Sequence, residues 1–234
     1  MENQAAQIVA LNGSPHRNGN TVTLMHWVAE GCQESGASIA WIHVVDHDIR
    51  YCEGCFTCLR TGACPIQDDV PRVRERLMAA DGLIVGSPVY EDQPTAQLKT
   101  LLDRLTLLNL YTRTFERQRS IGVATSGVAP TGGVAKELAD FFGRRSGIIG
   151  AKTASVSSGY QPLAEVHHPR LPERARALGR GLVKDIEQAD RPRLPSPMHL
   201  WIGVLRRLVI RPLMTGHPDQ FAGALAVWQE KGWL

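Results

Sequence analysis

The sequence IVALNGSPHRNGNT, residues 8–21, joins a short apolar run to a polar, glycine-containing turn that precedes a helical pattern. Four further apolar runs of strand length follow, at about residues 39–45, 83–85, 121–124 and 148–156, with amphipathic helical segments between them. Alternation of short apolar strands with helices is typical of a parallel sheet that helices cover on both faces. Because five repeats are too few for an eight-stranded barrel, the pattern predicts an α/β fold with an open, doubly wound, five-stranded parallel sheet.

The overall composition is that of an ordinary globular protein. The 234 residues are 43% hydrophobic and 21% charged, and the formal net charge is +3. Such a small basic surplus does not suggest a nucleic-acid binder, and no run approaches the roughly 18 apolar residues of a membrane span. The first residues lack the basic start and apolar core of a signal peptide. We therefore expect a cytoplasmic protein whose thiols stay reduced.

The composition changes after about residue 190, where the proline-rich stretch RPRLPSP begins. An apolar helical stripe follows, and Pro212 is predicted to end it, since proline interrupts a helix interior. The stripe is formed by Met198, Trp201, Ile202, Leu205 and either Leu208 or Val209. We therefore predict two parts: residues 1–190 form the main domain, with a cysteine-containing loop at 46–67, and residues 191–234 form a helical C-terminal extension.

The first polar turn has the character of a phosphate loop. Backbone N–H groups at a helix N-terminus favour an anion, and no acidic residue occurs from Asn3 through Ala29. The turn lacks both GxxxxGK(S/T) and GxGxxG, so a monophosphate fits better than a nucleotide polyphosphate. Ser14 and Thr21 are the best candidate donors, and Arg17 is the candidate counter-charge. The alternative is an ordinary polar turn.

Two further segments follow predicted strands, at the sheet edge where doubly wound folds bind ligands. GSPVY, residues 86–90, presents a rigid backbone and an aromatic side chain that suit a planar heterocycle such as an isoalloxazine ring. TSG, residues 125–127, offers hydrogen bonds to the polar edge of such a ring. Alternatively, these residues only shape turns.

Four of the five cysteines lie within 13 residues and are candidate metal ligands: Cys52, Cys55, Cys58 and Cys64. A compact run of three thiols with a fourth close behind is typical of 4Fe-4S ligation. Structural zinc sites usually pair two CxxC steps across a longer insert. A zinc site and a loop of free thiols remain the alternatives. Cys32 lies on the apolar face of a predicted helix and is expected in the core.

The segments LNGSPHRNGNT, CEGCFTCLRTGACPIQDDV and GSPVY, in this order, resemble the NAD(P)H-dependent FMN reductases of the flavodoxin-like superfamily, in particular the iron–sulfur flavoprotein group. The resemblance covers about residues 7–160. It implies a flavodoxin-like sheet, bound FMN, NAD(P)H as electron donor and a homo-oligomer. His16 takes a position where relatives commonly have Arg or Lys, so either His16 or Arg17 would carry the charge.

The resemblance also implies which residues contact FMN. Phosphate contacts would come from Ser14, Arg17, Asn18, Asn20 and Thr21, and ring contacts from Pro88, Val89, Tyr90, Thr125, Ser126 and Gly127.

Our hypothesis from the sequence is an FMN-dependent oxidoreductase that moves electrons between NAD(P)H, or a redox partner, and a small-molecule or protein acceptor through a 4Fe-4S cluster. No acid–base residue is predicted, since a flavin carries the chemistry itself. The alternatives are a non-catalytic flavin and iron–sulfur electron carrier, or a zinc- or thiol-containing binding protein.

Overall fold

A computed structural model of the protein describes residues 5–115, 117–142, 144–152, 154–155, 159–160, 162–163, 169–188 and 204–234. The proline-rich stretch at 191–197 lies outside these residues, as do Met198, Trp201 and Ile202 of the predicted apolar stripe. No helix of the described residues is long and apolar enough to cross a membrane.

Five parallel strands form the central sheet, in the order β2-β1-β3-β4-β5. The strands are β1 (Gln7–Asn12), β2 (Ser38–His43), β3 (Gly82–Pro88), β4 (Arg119–Ser126) and β5 (Arg144–Lys152). This is the flavodoxin-like order, in which the chain changes direction across the sheet between β1 and β3. The predicted doubly wound parallel sheet is confirmed.

Helices cover both faces of the sheet. One face carries α1 (Asn20–Glu34) and α6 (Leu171–Glu187), and the other carries α3 (Val70–Ala79), α4 (Ala96–Thr112) and α5 (Gly132–Phe141). Side chains alternate along β1: Ile8 and Ala10 belong to the core under α1 and α6, whereas Val9 and Leu11 belong to the opposite core. Burial on both faces is the reason that the central strands β1 and β3 read as continuous apolar runs.

Cys32 is fully buried where α1 packs against α6, as its helical position predicts. A Cβ atom on Gly179 would lie 2.0 Å from the carbonyl oxygen of Val28, so glycine permits this close approach. The Cys32 thiol donates to the Gly179 carbonyl at 3.4 Å. Burial raises the pKa of Cys32 to about 12, so this cysteine is a core residue.

Several element ends differ from the sequence prediction. The second strand ends at His43, and the 3-10 turn Val44–Asp46 replaces its predicted last residues. The fifth strand begins at Arg144, because β4 and β5 pair from Arg119 and Arg144 onward across a register shift. At the end of the predicted range lies β6 (Ala154–Ser155), which pairs antiparallel with β7 (Gly159–Tyr160).

The C-terminal extension contains a π-helical turn, Arg206–Ile210, followed by α7 (Arg211–Gly216) and α8 (Pro218–Glu230). The prediction that Pro212 ends a helix is wrong. Pro212 lies in the first turn of α7, where a residue without an N–H group costs no helical hydrogen bond.

The extension packs on the cysteine-containing segment. Its buried side chains form a third cluster with Leu59, which belongs to the short helix α2 (Thr57–Thr61). The extension contributes Met214, Phe221, Ala224 and Trp228. The C-terminal helices therefore cover α2, the short helix that carries Cys58.

Candidate functional site

Three polar segments meet in one groove at the carboxyl ends of β1, β3 and β4. The groove has a volume of about 700 Å³, within the range of small-molecule sites. Eleven of the twelve predicted cofactor-binding residues line it: Ser14, His16, Asn18, Asn20, Thr21, Pro88, Val89, Tyr90, Thr125, Ser126 and Gly127. Gly19 and Pro162 complete the lining.

The predicted phosphate loop is held in shape by its own side chains. The Ser14 N–H donates to Asn12 Oδ1 at 2.9 Å, and the His16 N–H donates to Ser14 Oγ at 3.1 Å. The Asn12 amide nitrogen also lies 3.0 Å from Nδ1 of His43, on the neighbouring strand. The Thr95 hydroxyl donates to the Gly13 carbonyl at 2.6 Å. These hydrogen bonds hold the conformation of the loop that precedes α1.

Helix α1 starts without a side-chain cap. Its N-cap residue, Gly19, makes no side-chain hydrogen bond, and the first turn contains no acidic residue. The first N–H groups of a helix have no acceptor within the helix itself, and Gly19, Asn20 and Thr21 at this end of α1 line the groove. The Asn20 side chain accepts from the Leu163 N–H at 2.7 Å, which attaches the Pro162 wall to the loop.

The end of β3 places Tyr90 on a tight turn. The Val89 N–H donates to the Thr125 carbonyl at 2.8 Å. Tyr90 and Gln93 exchange both backbone hydrogen bonds, at 2.9 and 3.0 Å. Between them, Glu91 and Asp92 both have positive φ, 47° and 59°, which is the backbone pattern of a type I′ turn. The Tyr90 side chain, 52% exposed, is thus presented at the rim of the groove.

Arg17 is the predicted site residue that does not line the groove. Its guanidinium forms an ion pair with Asp46, in the 3-10 turn after β2. The Arg17 side chain is 60% exposed. Of the two candidate counter-charges, His16 is the one that lies in the groove wall.

The four clustered cysteines line a second, smaller cavity. Glu53, Phe56, Pro65, Ile66, Asp103, Arg104 and Leu107 form the rest of its wall. None of the four forms a disulfide bond. Within the described part of the chain, no three His, Cys, Asp or Glu side chains stand in metal-binding geometry. The fold therefore gathers the four thiols around one space without setting them in a ligating arrangement.

The thiols are close enough to influence one another. Burial and the negative charges of Cys64, Cys55 and Cys52 all raise the pKa of Cys58. Hydrogen bonds from the side chain and backbone of Thr57 lower the pKa of Cys55. A like charge disfavours ionisation of a neighbour, so a cation among the thiols would favour the ionisation of Cys58.

Hydrogen bonds join the two ends of the segment that carries the cysteines. The Asp48 N–H donates to Asp69 Oδ2 at 2.9 Å, and the Asp69 N–H donates to the Asp48 carbonyl at 2.9 Å. The Arg50 N–H donates to Asp68 Oδ2 at 3.0 Å. Between these points the backbone turns sharply, with Gly62 at φ 80° closing α2. The two ends of the loop are therefore held close together by hydrogen bonds.

Arg104 is the site residue that the sequence analysis missed. Its side chain and that of Asp68 are both fully buried and form an ion pair. Although burial raises the pKa of Asp68, hydrogen bonds from Arg104, Arg50 and Val70 outweigh it and hold this pKa below its usual value. Burial lowers the pKa of Arg104, but the hydrogen bond to Asp68 and the negative charge of Cys64 raise it more.

The position of Arg104 in the sequence could have identified it as a buried, paired residue. It lies three residues after Leu101 and four before Leu108, which puts it on the apolar face of α4 by helical spacing. A charged residue on such a face is buried only when it is paired.

Comparisons with known proteins agree with this arrangement. Residues 6–161 match the family described as NADPH-dependent FMN reductase. An iron–sulfur flavoprotein of Methanocaldococcus jannaschii is 34% identical over 140 residues, which are 58% of this chain and 71% of that protein. An iron–sulfur flavoprotein of Clostridioides difficile is 24% identical over 96% of this chain and 98% of its own.

A solved structure shares the fold. RosB with bound 8-demethyl-8-formylriboflavin-5′-phosphate superposes with a TM-score of 0.63 and 13% identity, over 87% of each chain. At that identity the likeness concerns the fold alone. The family match covers more than half of the chain and includes both the groove and the cysteine segment. The chain therefore belongs to the NADPH-dependent FMN reductase family, with its iron–sulfur flavoprotein relatives, and is a flavodoxin-like, FMN-dependent oxidoreductase.

Proposed function

We propose that the groove at the strand ends binds FMN and that Cys52, Cys55, Cys58 and Cys64 hold a 4Fe-4S cluster. The observation that carries this proposal is the convergence of three strand-end segments, far apart in sequence, on one groove of small-molecule size. When bound, FMN would take electrons from NAD(P)H or a redox partner, and the cluster would pass them singly to an acceptor.

The phosphate of FMN fits at the start of α1. The N–H groups at this helix end and the lack of nearby acidic side chains favour an anion. The hydroxyls of Thr21 and Thr125 lie 2.6 Å apart, and either can donate to the other. One of the two protons therefore stays available to a ligand. Ser14 Oγ accepts from the His16 N–H, so its own proton is also available.

The isoalloxazine ring fits between the other two segments. Pro88, Val89 and Tyr90 supply an apolar and aromatic wall at the end of β3. At the end of β4, the Ser126 hydroxyl donates to the Ala129 carbonyl, which holds this part of the groove wall in place. These residues would orient the ring and exclude water from one side of it, while the hydride chemistry remains that of the flavin.

The cysteine cavity fits an iron–sulfur cluster in its donors and in its wall. Four thiols surround it, and Phe56, Pro65, Ile66 and Leu107 give it an apolar lining. The wall also contains a buried N–H donor without a partner among the described residues, Nε of Arg104. Sulfur atoms of a cluster commonly accept such hydrogen bonds.

A matched pair of cysteine variants tests the cluster. We expect anaerobically purified Cys55→Ala to lose iron and the broad visible absorbance of a cluster while FMN stays bound, because no cysteine lines the groove proposed for FMN. Cys32→Ala, which removes a thiol from the core between α1 and α6, should keep both. Iron retained at the wild-type level in Cys55→Ala would refute the ligand assignment.

One observation favours a metal-free alternative, in which the loop is a set of free thiols beside a flavin. The described cysteines do not stand in metal-binding geometry. Metal analysis separates the possibilities: iron with sulfide supports the cluster, zinc alone supports a structural site, and neither supports free thiols.

A turnover assay distinguishes an enzyme from an electron carrier. The FMN-loaded protein should oxidise NADPH or NADH in the presence of a quinone, a free flavin or a dye. Absence of turnover with every acceptor would favour a non-catalytic carrier.

A further inference from the structure

Arg104 is a buried cation in the wall of the cysteine cavity. Its side chain is fully shielded from solvent, and it lines the cavity together with all four cysteines. Its partner, Asp68, does not line the cavity. The ion pair is therefore oriented, with its positive end toward the thiols and its negative end away from them.

The hydrogen bonds of Arg104 to Asp68 and Arg50 use three of its five N–H donors, and none of them uses Nε. Nη1 of Arg104 donates to Asp68 and, at 2.8 Å, to the carbonyl of Arg50, while Nη2 donates to Asp68 Oδ1 at 3.1 Å. Nε is buried and has no partner among the described residues. A guanidinium has five N–H donors and no acceptor, so only an electron-rich atom can satisfy Nε. Besides Asp68 and the Arg50 carbonyl, the Cys64 sulfur is an electron-rich atom that interacts with Arg104.

Asp68 fixes the guanidinium in this orientation. Two backbone N–H groups, of Arg50 and Val70, donate to its carboxylate at 3.0 and 3.1 Å. Arg50 and Val70 lie at the two ends of the cysteine segment. A carboxylate held in this way leaves Arg104 little freedom to turn, because the paired contact is bidentate and planar.

We propose that Arg104 is a positioning residue that raises the reduction potential of the cluster, through its charge and an Nε–H hydrogen bond to the Cys64 sulfur. This inference rests on the proposed function. Reduction of the cluster adds one electron, supplied by reduced FMN, and transfers no atom. The added negative charge is stabilised by a nearby cation and by N–H donors to sulfur, which are established determinants of cluster potential.

The test is a redox titration of the cluster in the whole, FMN-loaded protein, followed by electron paramagnetic resonance. Arg104→Gln removes the charge and Nε, so the equilibrium constant for one-electron reduction should fall about tenfold, or about 59 mV. Arg104→Lys keeps the charge and should lose about threefold, roughly half that shift in potential. Asp68→Asn removes the compensating negative charge and should shift the potential upward.

Lys136→Gln is the matched control. It removes one positive charge from an exposed ion pair with Asp140 on α5, and α5 contributes no residue to the cavity. Its cluster potential should equal that of the wild type. The FMN content of every variant reports whether the main fold is intact.

The possible results separate this inference from the proposed function. Wild-type protein that binds FMN but contains no iron would refute the cluster and the inference with it. A wild-type cluster whose potential is unchanged in Arg104→Gln would overturn only the inference. Loss of the cluster from Arg104→Gln, Arg104→Lys and Asp68→Asn alike would give Arg104 a purely structural role and would also overturn it.

Discussion

The hydroxyl oxygens of Thr21 and Thr125 lie 2.6 Å apart, and both side chains are buried. Thr21 is in the first turn of α1, and Thr125 is at the end of β4, 104 residues later. This contact joins the predicted phosphate loop to the segment predicted to contact the flavin ring. This hydrogen bond adds a direct side-chain link between the two parts of the groove to the pairing of the strands that carry them.

Removing the Thr21 hydroxyl should weaken FMN binding. Thr21→Val leaves the buried Thr125 hydroxyl without this partner and removes a hydrogen-bond donor proposed for the FMN phosphate. The expected loss of binding free energy is about 1–3 kcal/mol. We expect the Kd of the apoprotein for FMN, measured by quenching of flavin fluorescence, to rise about tenfold or more. Thr100→Val is the control, because the Thr100 hydroxyl bonds within its own helix at an exposed position. Equal affinities of the two variants would show that Thr21 does not contribute to binding.

The two candidate counter-charges should differ in their effect on FMN. His16 lines the groove, whereas the Arg17 guanidinium is already paired with Asp46 on the surface. We expect His16→Ala to raise the Kd for FMN about fivefold and Arg17→Ala less than about twofold, since exposed ion pairs contribute little. A larger loss in Arg17→Ala, measured by the same titration, would mean that Arg17 leaves Asp46 when FMN binds.

The contact between the C-terminal extension and the cysteine segment depends on Gly223. A Cβ atom at this position would lie 2.1 Å from the backbone nitrogen of Gly62 and 2.7 Å from the carbonyl carbon of Thr61. Gly223→Ala should therefore separate α8 from α2 and lower the free energy of unfolding by about 1–3 kcal/mol. The measurement is urea denaturation, together with iron content, which should fall.

Gly181→Ala is the control for that variant. Gly181 also lies in a helix, and a Cβ there meets nothing within 4 Å. Alanine favours helix over glycine by about 0.8–1 kcal/mol, so this variant should be as stable as the wild type or more so. Wild-type stability in Gly223→Ala would mean that the two backbones can separate without cost.

The ionisation of Asp68 should make stability fall in acid. Since hydrogen bonds hold the pKa of the folded carboxyl below its unfolded value of 3.8, its contribution is complete above that value and is lost as the pH falls through the folded pKa. The difference in unfolding free energy between wild type and Asp68→Asn should be constant from about pH 5 to 7 and shrink below about pH 4. A difference that grows in acid would contradict the direction of this pKa shift.

The sheet and the groove were predictable because they follow from local patterns. Each buried strand is an apolar run, and parallel topology brings the carboxyl ends of strands to one edge. Ser14, Tyr90 and Thr125 could therefore be assigned to one site although they are far apart in the chain. The ends of elements were less predictable: whether β5 begins at Arg144 depends on its pairing with β4, which no local pattern encodes.

Other features depend on long-range contacts. The partner of Arg17 is Asp46, 29 residues away on a turn after another strand, so sequence alone left both Arg17 and His16 as counter-charges. The approach of Gly223 to Gly62 joins two segments that no spacing rule connects. Arg104 is an intermediate case, since its place on the apolar face of α4 was readable but its partner, Asp68, was not.

The central claim is that one chain carries FMN in the strand-end groove and a 4Fe-4S cluster on the four cysteines. The most direct test is the content of FMN, iron and acid-labile sulfide in the anaerobically purified wild-type protein. We predict about one FMN, four iron and four sulfide per chain. Protein that contains FMN without iron and sulfide, or that binds no FMN, would contradict it.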